Sequence, residues 1–425
     1  MSNKTKTNPP THPIVIEHES HQLAWNRVSK HALEVSKTLK QQGFQAFLVG
    51  GCVRDLLLGK TPKDFDVSTN ATPQQVRSLF RRSRLVGKRF QIVHVRFGRS
   101  ELVEVSTFRK SAISQNTGDE IRHSDEGLIL RDNLFGTIEE DAFRRDFTIN
   151  ALYYDPSTKR IFDYVGALAD LYNRELRCIG DPSIRLREDP VRALRAIRFQ
   201  AKLGLTLHSS IRAELPLMAA KILSVPPARL FDQMQKMFLS GYGENMWLLL
   251  KKTPFLKILF PFTSSDNNLI QKAIRNTDQR VEKDKPITIG FILAALLWED
   301  YSARVVALKE HKKIREARSI AAIETIQDQQ KIISIPRRFS AFITEVWLLQ
   351  PRLEERRKRD INRLFNHRRF RAAYDFLLLR KQSGETGVTD ESADWWTKFQ
   401  ESNSVREKIK RPADKKKAKP NNKQS

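Results

Sequence analysis

The chain has few cysteines, and its histidines are not spaced like those of a known metal or catalytic motif. Only two of its 425 residues are cysteines, Cys52 and Cys178, which excludes a disulfide framework and favours a reducing compartment. Its nine histidines lack the spacing of zinc ligands, and none of them directly precedes an aspartate. These absences exclude a zinc site and the paired His-Asp site of HD phosphohydrolases.

Long apolar runs are missing as well. No segment approaches the roughly 18 apolar residues of a membrane-spanning helix. The longest, residues 287–298, is interrupted by Gly290 and is typical of a buried helix. Residues 1–12 are polar and lack the apolar core of a signal peptide. We therefore expect a cytoplasmic protein.

Acidic residues are few compared with basic ones. The chain has 75 lysines and arginines against 49 aspartates and glutamates, a formal net charge of +26 and a pI of about 10.1. This surplus exceeds what solubility needs and indicates a polyanionic partner. Nucleic acid is the commonest such partner, and an anionic membrane surface is the alternative.

Strand and helix signals alternate only in the first part of the chain. Short apolar runs, such as residues 44–49 and 102–108, predict strands, whereas helical periodicity dominates beyond about residue 175. The pattern predicts an α+β protein with an N-terminal α/β head, built on a small mixed sheet, and an all-helical remainder. Residues 1–25 and the lysine-rich residues 406–425 are predicted to be disordered.

Two aspartates open one of the predicted strands. Asp64 and Asp66 stand at i and i+2, so their side chains share one face of the strand, about 6.5–7 Å apart. Two carboxylates this close repel by about 2–3 kcal/mol at an effective dielectric near 20. A pair of Mg²⁺ ions would remove the repulsion and would suit in-line phosphoryl transfer. Standing alone, the pattern is more typical of a turn with two solvated aspartates.

A glycine turn precedes these aspartates. Gly50 and Gly51 follow an apolar strand and begin a helix, so the backbone there can approach a triphosphate closely. Arg54, one turn into the helix, can donate two hydrogen bonds to phosphate. We expect Asp55 to be structural and to pair with Arg54. The turn and the two aspartates together favour a nucleotide site.

Two further stretches offer charged groups. Arg145 and Asp146 provide a phosphate donor and a third metal ligand or general base, with Glu104 as the rival third carboxylate. Asp189 is predicted to cap a helix that Pro190 begins. This helix presents its arginines on one face, either as a solvated surface or, through Asp189 and Arg192, as contacts to a nucleobase. The arginines recur every three residues: Arg192, Arg195 and Arg198.

The four motifs together resemble those of the class II nucleotidyltransferases. They read L-V-G-G-x-V-R-D, K-D-F-D-V, R-R-D-F-T-I-N-A-L and E-D-P-x-R-x-L-R-A-x-R-F, in the order that is typical of that superfamily. The superfamily holds the CCA-adding tRNA nucleotidyltransferases and the bacterial poly(A) polymerases. The chain resembles the latter more closely because of segments outside the shared core, at residues 85–90, 131–141, 226–231 and 370–380.

This resemblance implies a function and a domain plan. The function is template-independent addition of AMP from ATP to RNA 3′ ends, which promotes RNA polyadenylation and turnover, with two Mg²⁺ ions and with RNA-decay proteins as partners. The implied domains are a lead (1–25), a catalytic head (26–170), a base-contacting neck (171–240), an RNA-binding body (241–405) and a basic tail (406–425). CCA addition to tRNA and a catalytically inactive RNA-binding adaptor remain as alternatives.

The resemblance also assigns roles to residues. It implies that Asp64, Asp66 and Asp146 are catalytic and hold the metal ions. The nucleotide would be bound by Gly50, Gly51, Arg54, Arg145, Asp189 and Arg192. RNA would be bound by basic side chains of the neck, body and tail, namely Arg195, Arg198, Arg368, Arg369, Lys415, Lys416 and Lys417.

Overall fold

The computed structural model describes residues 12–21, 23, 25–87, 91–98, 101–110, 122–123, 129–131, 135–385 and 390–410. The chain divides into two compact units. The first consists of Met1–Pro226 with Lys252–Phe255, and the second of Pro227–Lys251 with Leu256–Ser425. The predicted domain boundaries near residues 170, 240 and 405 stay predictions.

An eight-stranded mixed sheet forms the core of the first unit. Its order is β1-β10-β9-β2-β3-β6-β5-β4, and only the β3–β6 pair is parallel. The strands are β1 (Ile14–Ile16), β2 (Ala46–Val49), β3 (Phe65–Thr69), β4 (Ser83–Val86), β5 (Ile92–Phe97), β6 (Glu101–Thr107), β9 (Leu152–Asp155) and β10 (Arg160–Asp163). Two short pairs stand apart, namely β7 (Arg122–His123) with β8 (Ile129–Arg131), and β11 (Glu175–Leu176) with β12 (Thr206–Leu207).

Nine helices belong to the described part of the first unit before residue 222. They are α1 (His18–His21), α2 (Lys30–Gln41), α3 (Gly51–Leu57), α4 (Pro73–Leu79), α5 (Ile138–Arg144), α6 (Ala167–Tyr172), α7 (Pro182–Glu188), α8 (Val191–Leu203) and α9 (Ser209–Lys221). Local sequence explains several of their starts. Thr72 and Gln75 form a capping box before Pro73, and Thr137 and Glu140 form another at the start of α5.

The rest of the chain is helical in its described residues. The helices are α10 (Pro227–Phe238), α11 (Gly243–Lys251), α12 (Phe255–Leu259), α13 (Asn268–Glu282), α14 (Ile289–Leu296), α15 (Trp298–Leu308), α16 (Ile314–Gln330), α17 (Arg337–Glu355), α18 (Ile361–Phe365), α19 (Phe370–Gln382) and α20 (Asp390–Lys410). This confirms the predicted fold class, a mixed-sheet head followed by helices. No helix in the described ranges has the length and apolar character to cross a membrane.

The prediction that residues 1–25 are disordered is wrong for the described part of this segment. Ile14–Ile16 forms an edge strand antiparallel to β10, and Ile16 is buried. His21 is buried too, and its Nε2 lies 2.8 Å from the carbonyl oxygen of Lys159. The three β-branched residues 14–16 complete the sheet, which compensates for the cost of ordering them.

The predicted tail needs one correction as well. Helix α20 continues to Lys410, so the first five residues of the segment predicted as disordered are helical. Lysine, arginine and glutamate are good helix formers and extend a helix that begins at Asp390. Residues 411–425 lie outside the described residues.

Candidate active site

Three carboxylates gather at the start of strand β3. Asp66 is the neighbour of Glu104 in the parallel β3–β6 pair, and exposed Asp64 directly precedes the strand. Phe65 between the two aspartates is buried. Burial raises the pKa of Asp66 to about 6, as do the nearby charges of Glu104 and Asp64, while Arg145 opposes the shift. The negative charges of Asp64 and Asp66 therefore repel each other, as expected, although Asp64 lies just before the strand and not in it.

Gly50 brings the backbone close to these carboxylates. It is the N-cap of helix α3 and has φ +78°, a conformation that favours glycine. A Cβ placed on Gly50 would lie 3.6 Å from Arg145 Nη1 and 4.0 Å from Asp66 Oδ2. A side chain at this position would thus be strained and would occupy the space between an arginine and a carboxylate. Gly51 has a similar relation to Arg54, whose Nη2 would lie 3.5 Å from a Cβ there.

Arg145 is held by buried acceptors. Its Nη2 donates to Asp141 Oδ2 at 2.8 Å, and its Nε donates to the Tyr153 hydroxyl at 3.0 Å. A further Nη2 contact reaches the Ser68 hydroxyl at 3.3 Å, two residues after Asp66 on β3. Although burial opposes it, Arg145 and Arg144 hold the pKa of Asp141 well below its usual range. Arg145 is therefore fixed as a cation that faces the Asp66 side of the sheet.

Arg54 is almost fully buried rather than open to solvent. Its Nε and Nη2 donate to Asp55 Oδ1 at 2.8 and 2.6 Å, which confirms the predicted pairing of the two residues. Its Nη1 donates to Asn150 Oδ1 at 2.6 Å. The guanidinium group also lies 5.4 Å from the centre of the Phe199 ring. Its contact with a triphosphate stays a prediction.

Asp146 has different neighbours from those of Asp66. Arg195 of helix α8 donates to its Oδ2 from Nε at 2.6 Å, and Asn150 donates to its Oδ1 at 3.2 Å. Against the effect of burial, these two partners lower the pKa of Asp146. Among the described residues, no group of three or more His, Cys, Asp or Glu side chains is placed to hold a metal ion. Neither Asp146 nor Glu104 therefore completes a three-carboxylate metal site with Asp64 and Asp66 in the described residues, although Glu104 is the direct neighbour of Asp66 on β6. The metal-binding role of Asp64, Asp66 and Asp146 stays a prediction.

The predicted base-contacting pair lies between two helices. Asp189 directly follows α7 as its C-cap, and α8 begins at Val191, one residue later than Pro190, which was expected to be its first residue. The Val191 backbone N–H donates to Asp189 Oδ1 at 3.3 Å, so Asp189 does cap the start of α8 as predicted. Arg192 donates to the Arg185 carbonyl at 2.6 Å and to Glu188 Oε2 at 3.0 Å. Since these bonds hold Arg192 within the fold, the role of the pair in base recognition stays a prediction.

The predicted RNA-binding residues fall into three groups. Arg195 is paired with Asp146, and the Arg198 guanidinium lies 4.7 Å from the centre of the Phe199 ring. In the second unit, Arg368 and Arg369 both pair with Glu345. The three tail lysines, Lys415, Lys416 and Lys417, lie outside the described residues. RNA binding by all of them stays a prediction.

Reasoning from the sequence missed three polar residues that organise the site. Asn150 connects Arg54 to Asp146, and its carbonyl accepts from Arg145 Nη1 at 3.4 Å. Asp141 and Tyr153 orient Arg145. The pairing of Asp141 with Arg145 could have been predicted from the sequence, because Asp141 stands four residues before Arg145 on a predicted helix. Asn150 lies within the R-R-D-F-T-I-N motif itself.

Comparisons with known proteins agree on one family. The model described as "Poly A polymerase head domain" matches residues 46–177, and two further models cover residues 204–266 ("Probable RNA and SrmB- binding site of polymerase A") and 310–425 ("Polymerase A arginine-rich C-terminus"). The chain is 41% identical over 387 residues to Poly(A) polymerase I of Haemophilus influenzae, covering 88% of this chain and 85% of the relative. It is 40% identical over 400 residues to the Escherichia coli O157:H7 protein of the same name, covering 91% and 85%.

The chain belongs to the poly(A) polymerase family. It is therefore a nucleotidyltransferase, as the resemblance implied. A CCA-adding enzyme of Bacillus pumilus is more distant, with 33% identity over 229 residues, 54% of each chain. Solved structures share the fold, among them a CCA-adding enzyme in its apo form II, with a TM-score of 0.62 at 20% identity over 96% of this chain and 89% of that one.

The carboxylates around Asp66 bring negative charge together, which favours the approach of a divalent cation. Burial and the neighbouring negative charges raise the pKa of Asp66, and carboxylate oxygens are the ligands that Mg²⁺ prefers. The cluster also adjoins the fixed cation Arg145 and the backbone at Gly50. Asp66, with Glu104 beside it on β6 and Asp64 just before it in the chain, is therefore the described carboxylate whose surroundings favour a bound cation.

We expect Asp66→Asn to stabilise the metal-free protein. The folded pKa of about 6 exceeds the ordinary 3.8, so the charged carboxylate lowers stability above pH 6, and this penalty disappears as the pH falls towards 4. At pH 8 the variant should be more stable by about 1–3 kcal/mol, and the gain should vanish near pH 4. Thermal unfolding with EDTA across this pH range measures the effect.

Mg²⁺ provides the control for this expectation. Added Mg²⁺ should raise the unfolding temperature of the unchanged protein and reduce the advantage of Asp66→Asn, because the ion offsets the same repulsion. Asp64→Asn, at an exposed position, should give a smaller gain. A variant less stable than the parent at pH 8 in EDTA would contradict the proposed crowding.

Proposed function

We propose that this protein adds AMP from ATP to RNA 3′ ends without a template. The observation that supports this most directly is the pair Asp64 and Asp66 at the start of β3, with the raised pKa of Asp66, beside Arg145 and the Gly50 turn. This arrangement puts a candidate cation site next to a candidate anion site, as nucleotidyl transfer requires. Family membership supplies the choice of AMP as the added unit.

In this proposal the acidic residues bind the metal ions and the basic residue binds the triphosphate. Asp64, Asp66 and Glu104 would hold the two Mg²⁺ ions, which supply charge neutralisation and activation of the 3′-hydroxyl when bound. Arg145, fixed by Asp141 and Tyr153, presents its guanidinium to the triphosphate. Since the cation is positioned before the nucleotide arrives, little reorganisation is needed in the transition state.

A second network connects the catalytic sheet to helix α8. Asn150 bonds to Arg54 on one side and Asp146 on the other, and Asp146 bonds to Arg195 of α8. We assign Asp146 a positioning role, in which it holds α8 and the Asp189–Arg192 region relative to the nucleotide. Without a template strand, selection of ATP must come from such protein groups, and Asp189 and Arg192 are the candidates.

RNA is the polyanionic substrate that agrees with the large positive net charge of the chain. The net charge of +26 and the family model named for RNA and SrmB binding, at residues 204–266, support single-stranded RNA 3′ ends as substrate and an RNA-decay protein as partner. Backbone contacts of this kind are independent of sequence, which suits an enzyme that extends many different ends. The cytoplasm is the compartment in which these partners and the two free cysteines fit.

A nucleotide-preference assay tests this function. With purified protein, Mg²⁺ and an unmodified RNA, we expect long tails from ATP alone and little extension from CTP, GTP or UTP. Extension that stops after one to three residues and needs CTP would instead identify a CCA-adding enzyme. RNA binding without any nucleotide addition would identify the inactive adaptor.

A further inference from the structure

A pocket in the second unit combines an apolar interior with a cationic rim. Its volume is about 230 Å³, and helices α13, α14, α17 and α19 with the loop before α14 surround it. The apolar part is formed by Ile287, Phe291 and Phe342, and the rim by arginines. This pocket lies in the helical part of the chain, and neither the catalytic carboxylates nor the glycine turn contributes to it.

The rim carries more positive charge than its acids neutralise. Arg280 and Arg371 share one carboxylate, Asp375, at 4.0 and 3.0 Å. Arg368 and Arg369 likewise share Glu345, with Arg369 Nε at 2.9 Å. Four guanidinium groups thus face two carboxylates, and the side chains of Arg368 and Arg371 are each 71% exposed. Each guanidinium has five N–H donors, so these two exposed side chains can still donate to an anion.

One wall of the pocket is a stacked pair formed by an arginine and an aromatic ring. The Arg369 guanidinium lies 4.9 Å from the centre of the Phe342 ring, and Phe342 packs so closely on α14 that a Cβ at Gly290 would lie 2.8 Å from its Cδ1. The ring and the guanidinium plane are therefore held in place. Phe342 itself is buried beneath Arg369, so the plane that a base can reach is the Arg369 guanidinium, whose side chain is 31% exposed. Bases of single-stranded RNA stack on arginine planes of this kind. Asn276 at the pocket edge adds an amide that can both donate to and accept from a base.

We propose that this pocket binds one nucleotide of the single-stranded RNA substrate, with its base in the apolar interior and its phosphate on Arg368 and Arg371. The inference rests on the proposed function, because it takes RNA as the substrate. The proposal adds a defined subsite whose residues are distant in sequence from strand β3. This subsite would hold an upstream nucleotide of the RNA while the 3′ end reacts. A nucleotide matches both halves of the pocket, since it joins a flat ring to an anion.

The test is binding of a fluorescein-labelled oligo(A) to the full chain in EDTA, measured by anisotropy over a salt series. The variant Arg368→Gln/Arg371→Gln should bind about tenfold more weakly, because it cannot make the charge-assisted hydrogen bonds to phosphate. Its salt slope should decrease by about 0.7 for each phosphate that it no longer neutralises. The control Arg275→Gln/Arg337→Gln removes two exposed arginines of the same unit outside the pocket and should change affinity and slope much less.

A second variant tests the pocket without changing charge. Ala372→Leu fills part of the interior and should weaken oligo(A) binding at constant net charge, with thermal unfolding measured to verify folding. Equal losses in the pocket and control arginine variants, or unchanged binding in Ala372→Leu, would overturn the subsite. The subsite would also be overturned if millimolar AMP failed to displace the labelled oligo(A) and a duplex RNA bound as tightly as oligo(A).

Failure of the subsite differs from failure of the proposed function. If the unchanged chain extends RNA with ATP but the pocket variants bind oligo(A) normally, only the subsite is wrong. If the unchanged chain neither binds oligo(A) nor adds AMP, the proposed function itself is wrong.

Discussion

Replacing Asp66 with alanine is expected to abolish AMP addition, by about 10³-fold or more in kcat, while RNA binding in EDTA stays unchanged. Asp66 is the most buried of the three clustered carboxylates and the one next to both Gly50 and Arg145. Its removal takes away the ligand at the centre of the proposed cation site. Single-turnover extension of a labelled RNA with ATP measures the chemical step.

The matched control for this variant is Asp266→Ala. The Asp266 side chain is 87% exposed and pairs with Lys251 at 3.5 Å, a surface ion pair of little energetic weight. Its removal should therefore leave activity within a factor of about two. Retained AMP addition by Asp66→Ala would remove the proposed mechanism.

The third carboxylate can be assigned in the same assay. Glu104→Gln should raise the Mg²⁺ concentration needed for half-maximal activity, because Glu104 neighbours Asp66 across the β3–β6 pair. Asp146→Asn should leave that concentration unchanged and lower kcat through the loosened contact to Arg195. If Asp146→Asn instead raised the required Mg²⁺ concentration and Glu104→Gln did not, Asp146 would have the metal-binding role that the family resemblance implied.

Local geometry made part of this site predictable from sequence. The proximity of Asp64 and Asp66 depends only on their separation by one residue where a strand begins, and the Gly50 turn depends on residues next to it in the chain. The Arg54–Asp55 pairing joins adjacent residues. Each of these features needs only a few consecutive residues, so propensity and spacing sufficed.

The parts that could not be predicted are long-range. Asp146 is bonded to Arg195, 49 residues away, and Arg54 to Asn150, 96 residues away. Spacing in the sequence cannot reveal which of several carboxylates a buried arginine selects. The edge strand β1 was missed for the same reason, since it pairs with β10, far along the chain.

Replacing Asp141 with alanine should have the second-largest effect, on stability as well as activity. Asp141 has no exposed surface and accepts from Arg144 at 2.9 Å, Arg145 at 2.8 Å and the Tyr153 hydroxyl at 2.7 Å. Its removal leaves buried arginine charge uncompensated, which typically costs about 3–5 kcal/mol. Denaturant unfolding at pH 7 measures the loss.

Three further measurements separate the contributions of charge, hydrogen bonding and position. Tyr153→Phe removes two hydrogen bonds, the one that Tyr153 donates to Asp141 and the one that it accepts from Arg145, and should cost about 2 kcal/mol, less than Asp141→Ala. Because the pKa of Asp141 lies well below its usual range, the stabilisation by its charged form is complete above about pH 4. The difference in unfolding free energy between the parent and Asp141→Ala should therefore stay constant from about pH 5 to 8 and become smaller only in stronger acid.

If Asp141 also orients Arg145 towards the triphosphate, Asp141→Asn should raise KM for ATP while RNA affinity stays the same. An Asp141→Ala protein as stable as its parent would show that Arg145 is held by other groups.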